Sequence, residues 1–394
     1  RGRDESRAAH PRAHHAQVNE DGFASGCDVA VVGGGIVGSA IAYGLASRGL
    51  KVTVLDEGDR ALRAARTNFG LVWVQSKGDG MPAYMRWTRR SADLWPAFAA
   101  ELESLTGVGT EYRKDGGLVY CLGEADLAAQ GRKIAGLAAQ ANVFDSEMVD
   151  RAALERLQPD ARFGPDVAGA SYCPHDGHCN PLYLLRALHA GLALRGARYR
   201  PAAPVSSIER REGRFVLATA QGTVEAGRIV LAAGHGIPRL AEMVGLPAPI
   251  KAERGQILVT ERLQPFLRLP GSGIRQTGDG TVVIGSSKEK TGFDDRTSVA
   301  VGGRMAARAI RILPALASAK LNRTWGGIRV LTPDNHPVYA QSATHPGAFV
   351  AICHSGVTLA AVHASEFAAA LAAGSLGESF EPFHARRFDV PKAA

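Results

Sequence analysis

Cysteine is scarce in this chain. The five cysteines in 394 residues (Cys27, Cys121, Cys173, Cys179 and Cys353) form no even, closely spaced set. That excludes a disulfide-built secreted scaffold and fits a reducing, cytoplasmic setting. Blocks of like charge are missing too. The formal net charge is +8 and the pI about 9.4, but the arginines are scattered. The basic stripe of a nucleic-acid binder is therefore lacking, and the excess charge reads as a solvated surface. There is no internal repeat and no low-complexity linker, which excludes a repeat architecture. One apolar run, Val29 to Ala46, covers eighteen residues and shares the look of a signal peptide or membrane anchor. Its five glycines and its direct continuation into Lys51–Asp56 are better explained by a buried strand, a turn and a helix. No transmembrane segment is predicted. Apolar residues make up 45% and glycines number 46, enough for a large core with many tight turns. Residues 1–26, polar and rich in Arg, His and Ala, read as a disordered tail.

The apolar run carries the clearest chemistry. Asp28 to Val32 reads as a short buried strand, followed by Gly33-Gly34-Gly35-Ile36-Val37-Gly38. A helix from Ile36 to Arg48 closes at Gly49, and a β-branched strand from Lys51 to Leu55 ends on Asp56, 23 residues after Gly33. This is a dinucleotide-binding fingerprint in its proper context. Gly33 permits the turn, Gly35 lets the backbone approach a pyrophosphate, and Gly38 lets the helix pack on the strand. The helix N-terminus offers free N–H groups to the phosphates. Asp56 suits ribose hydroxyls and would repel a 2′-phosphate, which leaves FAD and NAD as alternatives.

Downstream, Leu71–Gln75 leads into a Gly-containing loop, 114–122 and 205–224 read as antiparallel strands, and Arg228–Gly234 and Ala348–Cys353 read as strands. Ser91–Thr106, Leu182–Arg195, Thr297–Leu313 and the Ala-rich stretch Gly356–Ala373 read as helices. The two kinds of element interleave. The predicted fold mixes α/β and α+β: a discontinuous Rossmann-like nucleotide domain (27–85, 160–245, 320–385) interleaved with a substrate domain on a mainly antiparallel sheet (86–159, 246–319).

At this point the sequence resembles the glycine oxidase, sarcosine oxidase and D-amino-acid dehydrogenase group of flavoproteins, over about residues 27 to 380. Four stretches carry the likeness: the fingerprint with Asp56, Arg254-Gly255-Gln256, Trp325–Arg329 leading to Thr332-Pro333-Asp334, and His354-Ser355-Gly356-Val357-Thr358. Asn68–Gln75 and Pro174–Pro181 are most similar to the β subunits of D-hydroxyproline dehydrogenase, opine oxidase and hydrogen cyanide synthase. The resemblance implies the DAO/glutathione-reductase-like fold and non-covalent FAD. It implies oxidation of the C–N bond of a small amino or imino acid by hydride transfer to flavin, with partner subunits that take the electrons, so a heteromeric complex. It places Gly33, Gly35, Ile36, Val37, Gly38, Asp56, Glu57, Asn68, Phe69, Gly70, Val205, Gly234, Gly327, Ser355, Gly356, Val357 and Thr358 at the cofactor. Alternatives are a free-standing oxidase that makes hydrogen peroxide, an NAD-linked dehydrogenase and a non-catalytic nucleotide-binding subunit.

Arg329 is the candidate catalytic arginine, because a planar guanidinium gives a substrate carboxylate two parallel hydrogen bonds. The alternative is a structural arginine paired with Asp334 or a helix end. His354, the second catalytic candidate, precedes the C-terminal glycine turn and lines the substrate side or helps deprotonate an amine; the alternative is a packed ring satisfied by backbone groups. Trp73 and Trp325 are candidates to cover flavin or substrate, or simply core. Cys173, His175, His178 and Cys179 admit three readings. A metal site lacks a regular spacing, and none is predicted. His175-Asp176 is similar to a His-Asp pair that carries FMN at a subunit interface in heterotetrameric sarcosine oxidase. The third reading is a loop ordered by its turn residues. Where monomeric sarcosine oxidases have a flavin-bearing cysteine, this chain has Gly327.

Overall fold

A computed structural model describes residues 26–58 and 63–389; the tail expected over 1–26 lies outside the described residues, Gly26 apart. Strand β1, Cys27–Val32, is apolar on both faces and occupies the middle of the main sheet, as an inner parallel strand must. Helix α1, Ile36–Ala46, returns the chain to β2, Val52–Leu55, which pairs with β1 in parallel. The parallel order runs Arg198–Arg200, β2, β1, Gly222–Leu231, Ala348–Ile352, and Val338–Gln341 closes one edge antiparallel. An antiparallel ribbon, Val205–Arg211 and Arg214–Thr219, extends from Gly222–Leu231.

Both faces of this sheet are covered. One core cluster joins α1 to α2 (Pro82–Thr106), the helix Pro181–Leu194 and the C-terminal helix. A second lies on the opposite face, under the ribbon and the helix Ile237–Glu242. A third core fills the remaining part of the molecule. There an antiparallel four-stranded sheet (Ile274–Gln276, Thr281–Gly285, Lys251–Arg262, Leu321–Leu331) stands beside a three-stranded one (Gly117–Leu122, Val167–Cys173, Glu147–Asp150). A bridge from Leu118 to Gly271 joins the two.

The mixed architecture matches the expectation; several particulars differ. Helix α2 starts at Pro82, nine residues before the predicted Ser91, and packs into the first core rather than opening the substrate domain. The strands Val167–Cys173 and Leu321–Leu331, assigned from sequence to the nucleotide domain, belong to the two smaller sheets. The C-terminal helix begins at Ala360, after a turn, and His363–Phe367 within it is a π-helical segment. The His363 ring meets the Tyr339 hydroxyl there at 2.7 Å.

Helix α1 is buried on all sides, so its neighbours must come very close. A Cβ on Gly44 would stand 2.0 Å from the carbonyl oxygen of Ala364 and 2.7 Å from the Ala368 side chain. Gly44→Val is therefore expected to destabilise the fold by about 1–3 kcal/mol or more through overpacking. Gly136→Ala, inside an α-helix with nothing within 4 Å of the new methyl, should instead stabilise by about 0.5–1 kcal/mol. Thermal unfolding of the two variants checks both signs; equal effects would show that α1 is not closely packed.

Candidate active site

The nucleotide end is built by backbone. Gly33 has φ +113°, and a Cβ there would lie 2.5 Å from the Ala232 carbonyl oxygen. A Cβ on Gly38 would lie 1.9 Å from the Gly33 carbonyl oxygen. Helix α1 begins with Gly35 at its N-cap, has no side-chain cap and carries no acid in its first turn. Its leading N–H groups and positive end are left for an anionic ligand. Asp56 closes β2, its carboxylate accepting from the Gly34 N–H at 2.7 Å and the Gly58 N–H at 2.9 Å. Arg63 bridges Asp56 (3.2 Å) and Glu57 (3.0 Å).

From this turn a continuous cavity of about 1540 Å³ runs to Arg329 and His354. That is larger than the roughly 300–1,000 Å³ usual for a small-ligand pocket, and suits a dinucleotide together with a substrate. The uncapped helix, the close glycine turn and the carboxylate at the end of β2 fit the adenosine diphosphate part of FAD. The C-terminal turn fits the ring end. Gly356 packs on Val37, with 2.9 Å from a would-be Cβ to the Val37 methyl. The Thr358 carbonyl oxygen accepts from the Ser91 hydroxyl at 2.6 Å and the Trp95 indole at 2.9 Å. The Thr358 hydroxyl joins the Trp73 N–H to the Leu71 carbonyl. This turn is thus pinned from α2 and from the 71–73 segment together.

Arg329 lies in the cavity wall on Leu321–Leu331. Its partner is Glu253 (2.6 Å), not Asp334, which pairs with Arg387. It also donates to the Ser286 hydroxyl and the Ser287 carbonyl. Two of its five N–H groups stay without a protein acceptor among the described residues. His354 borders the cavity and makes no hydrogen bond to a described residue, so the backbone-satisfied alternative does not hold. Its side chain is open to the cavity. Desolvation within the cavity walls, with the charges of Lys77, Arg329 and Lys288, holds the imidazole well below its usual range and therefore neutral.

The remaining predicted residues divide. Ile36, Glu57, Asn68, Phe69, Val205, Gly234, Gly327 and Ser355 through Thr358 line the cavity; Gly38 and Gly70 act behind it. The Val205 carbonyl accepts from Arg239 at 2.6 Å. The Asn68 side chain caps the Gly70 N–H at 2.7 Å. Gly327 has no room for a cysteine, since a Cβ would meet Thr67 at 2.1 Å. Cys353 is buried beside the cavity, its thiol pushed up to about 12 by burial. Trp73 lines the cavity, whereas Trp325 is outside the lining with its indole N–H buried and unpartnered. Arg254 braces the 286–298 loop through Glu289 (2.6 Å) and Asp294 (3.3 Å).

Sequence reasoning missed Lys77, Lys288 and Tyr84, all in the lining. The Ser355 hydroxyl oxygen accepts from Lys77 Nζ at 3.0 Å and from the Tyr84 hydroxyl at 2.9 Å. Burial lowers Lys77 to about 8. Pro82 at the start of α2 was the available signal for Tyr84, because proline favours the first helical turn. No spacing rule marks either lysine.

His175 pairs with Asp145 at 2.7 Å and is not part of the cavity lining. Cys173 and Cys179 are fully buried, and no group of three or more His, Cys, Asp or Glu among the described residues is arranged to hold a metal. Asp176 has a structural place. Fully buried, it accepts from the Val74 N–H (2.6 Å), the Gln75 N–H (3.2 Å) and the Gln75 side-chain amide (2.6 Å). It thereby sets the loop that carries Lys77.

Residues 28–370 match the family described as DAO, FAD dependent oxidoreductase. The chain belongs to this family. It is accordingly an FAD-dependent oxidoreductase. The opine oxidase subunit designated B of Agrobacterium tumefaciens (strain Ach5) is 43% identical over 368 residues, covering 93% of this chain and 99% of the relative. Hydrogen cyanide synthase subunit HcnC of Pseudomonas aeruginosa is 26% identical, covering 93% and 97%. The crystal structure of glycine oxidase from Geobacillus kaustophilus superposes with a TM-score of 0.82 at 26% identity, covering 91% of this chain and 98% of that one. Among the described residues no helix is long and apolar enough to cross a membrane.

Asp176→Ala is expected to cost at least about 2 kcal/mol, since each buried donor left unsatisfied costs about 1–3 kcal/mol. Burial raises Asp176 to about 7 in the folded chain, against about 3.9 when unfolded. Its proton-linked stability is thus complete below pH ~4 and is lost as pH rises through ~7. Denaturant titrations from pH 4 to 8 should show that slope in the parent and a flatter curve in Asp176→Ala. Equal slopes would put the titration elsewhere.

Proposed function

We propose that this chain oxidises the carbon–nitrogen bond of a small amino or imino acid (D-hydroxyproline-like, opine-like or glycine-like) and passes the electrons to partner subunits. The observation that carries the reading is the meeting, at one end of the FAD-sized cavity, of Arg329, a neutral His354 and the turn Ser355–Thr358. When bound, FAD supplies the acceptor for the hydride lost from the carbon beside nitrogen. The protein's share is placement. Arg329, steadied by Glu253, keeps two N–H groups for a substrate carboxylate. His354, uncharged, can accept a hydrogen bond from the substrate nitrogen without adding repulsion. Trp73 and the C-terminal turn keep water from the reacting face.

The subunit names of the relatives in Agrobacterium and Pseudomonas support a hetero-oligomer. Five free, buried cysteines support a reducing compartment such as the cytoplasm. A second flavin at His175 draws no support, because that ring is held by Asp145. The second reading, a free-standing oxidase making hydrogen peroxide, takes its support from the glycine oxidase likeness.

The test is the visible spectrum of the purified chain, before and after anaerobic addition of D- and L-proline, hydroxyprolines, sarcosine, glycine or an opine. A yellow protein bleached by one of these, and slow to regain colour in air, is the expected result; rapid recolouring with peroxide favours the oxidase. A chain that stays colourless with added FAD, or flavin that none of them bleaches, would sink the proposal. Arg329→Leu should lower kcat/KM about 10-fold or more, mainly through KM, as loss of a charge-assisted contact does.

A further inference from the structure

An amine gives up hydride from the neighbouring carbon only when its nitrogen lone pair is free. An amino acid that arrives as its ammonium form must therefore lose a proton inside the site. The reacting end is unfriendly to that ammonium: Arg329 and Lys288 line it, and His354 beside them is uncharged. Like charge nearby favours the neutral form of an amine. Most groups in the wall are unfit to take the proton. His354 is held too far below its usual range to keep one at neutral pH. The Cys353 thiol, pushed up to about 12, and the Tyr84 hydroxyl, also pushed up by burial, already carry theirs. Arg329 stays charged. Glu253 is occupied by Arg329, and Asp334 by Arg387.

Lys77 differs in position and in bonding. It lines the cavity, and its Nζ donates to the Ser355 oxygen at 3.0 Å, an oxygen that also accepts from Tyr84 at 2.9 Å. That bond holds the nitrogen against the turn next to His354. Among the described residues Lys77 makes no ion pair. One N–H of a neutral Lys77 serves Ser355, which leaves its lone pair for the cavity. The groups that face it come from several elements: Asp176 from the loop behind, Lys288 from the 286–298 loop, Arg329 from Leu321–Leu331, Cys353 and His354 from the end of Ala348–Ile352, and Tyr84 through Ser355 from α2. Burial, with Lys288 and Arg329, brings Lys77 down to about 8, while the Asp176 carboxylate favours its charged form. A lysine so placed can both lose and regain a proton near neutrality.

We infer that Lys77 is the base that takes the proton from the substrate's ammonium nitrogen, with Ser355 and Tyr84 as the positioning residues that aim it. This rests on the amine-oxidation reading and adds a step to it. The substrate N–H bond breaks, its electron pair stays on nitrogen, and the proton forms a bond to Lys77 Nζ. The C–H bond beside that nitrogen then breaks with its pair leaving as hydride, for which the FAD-dependent oxidation supplies the acceptor, and the product carries a C=N bond. Lys77 returns its proton to water once the product has left.

Two measurements on the FAD-loaded protein test it. The first is the rate of anaerobic bleaching by whichever amine bleaches the flavin, followed from pH 6 to 10. Rate over ligand concentration should climb about tenfold per pH unit and level off above pH ~8, at the Lys77 value. Lys77→Met should lose about 100-fold or more at pH 7, as removal of a general base does. Lys77→Arg keeps the charge but cannot give up its proton, so it should be as slow as Lys77→Met. Lys77→Ala should regain about tenfold or more when methylamine is added. The second measurement is binding alone, by the flavin spectrum or calorimetry, of α-aminoisobutyrate and pivalate. Both are carboxylates that cannot be oxidised in this way, and only the first has a nitrogen. Affinity for α-aminoisobutyrate should rise with pH through ~8 in the parent and lose that rise in Lys77→Met, while pivalate should not gain. If Lys77→Arg works like the parent, or if both ligands weaken together as pH rises through ~8, Lys77 is a fixed charge and the inference is overturned. If amines bleach the flavin as fast in Lys77→Met as in the parent, the base is wrong and the oxidation reading stands. If the Lys77-dependent rise is seen with α-aminoisobutyrate while no amine bleaches the flavin, the base stands and the oxidation reading is what failed.

Discussion

The molecule depends on how near other backbone is allowed to come to helix α1. Its first turn lies on Gly33, its third on the Ala364 carbonyl, and its N-terminal Val37 on Gly356. Each contact has glycine on one side, because a single methyl group would fill the space. Interiors packed at crystal-like density do not yield to such an insertion without moving an element. The same closeness leaves the leading N–H groups uncapped and joins the nucleotide turn to the C-terminal turn. The cavity therefore follows from packing: dinucleotide end and reacting end are two sides of one buried helix.

Much of this is legible in the sequence, and the reason is local. The fingerprint from Asp28 to Asp56 needs only neighbouring residues, so its spacing predicts its geometry. The inner strand Ala348–Ile352 and the end of Gly222–Leu231, residues 229–231, announce themselves as apolar runs, because both faces are buried there. What fails depends on contacts across the chain. The partition into domains is misplaced around Val167–Cys173 and Leu321–Leu331, since a strand's sheet is chosen by its partners and not by its own sequence. The start of α2 is set late because 82–90 is polar enough to look like loop, although Pro82 marks it. Lys77 and Lys288 are invisible for the same reason: a lysine reads as surface until the fold puts it in a cavity wall.

The His175-Asp176 pair shows how a motif can be right in importance and different in role. Likeness draws notice to the pair as a flavin site. The structure gives His175 to Asp145 and uses Asp176 to order Val74 through Lys77 from within the core. Gln75 passes that order onward, accepting from Ser171 at 2.7 Å and donating to the Gly117 carbonyl at 3.0 Å. The loop that carries the cavity's lysine is thus tied to the three-stranded sheet, and a change there would be felt in the site without touching it.

The bond from Tyr84 to Ser355 spans 271 positions of the chain, and Ala348–Ile352 lies in the main sheet next to Gly222–Leu231. Helix α2 and the glycine fingerprint therefore leave the ribosome well before the turn Ser355–Thr358. With elongation at roughly 5–20 residues per second, the nascent chain spends on the order of ten seconds or more with its first nucleotide-binding elements made and no reacting end to receive the ring. Closure of the cavity then waits on that turn, and chains cut short before Ser355 would expose the apolar cavity wall to quality control.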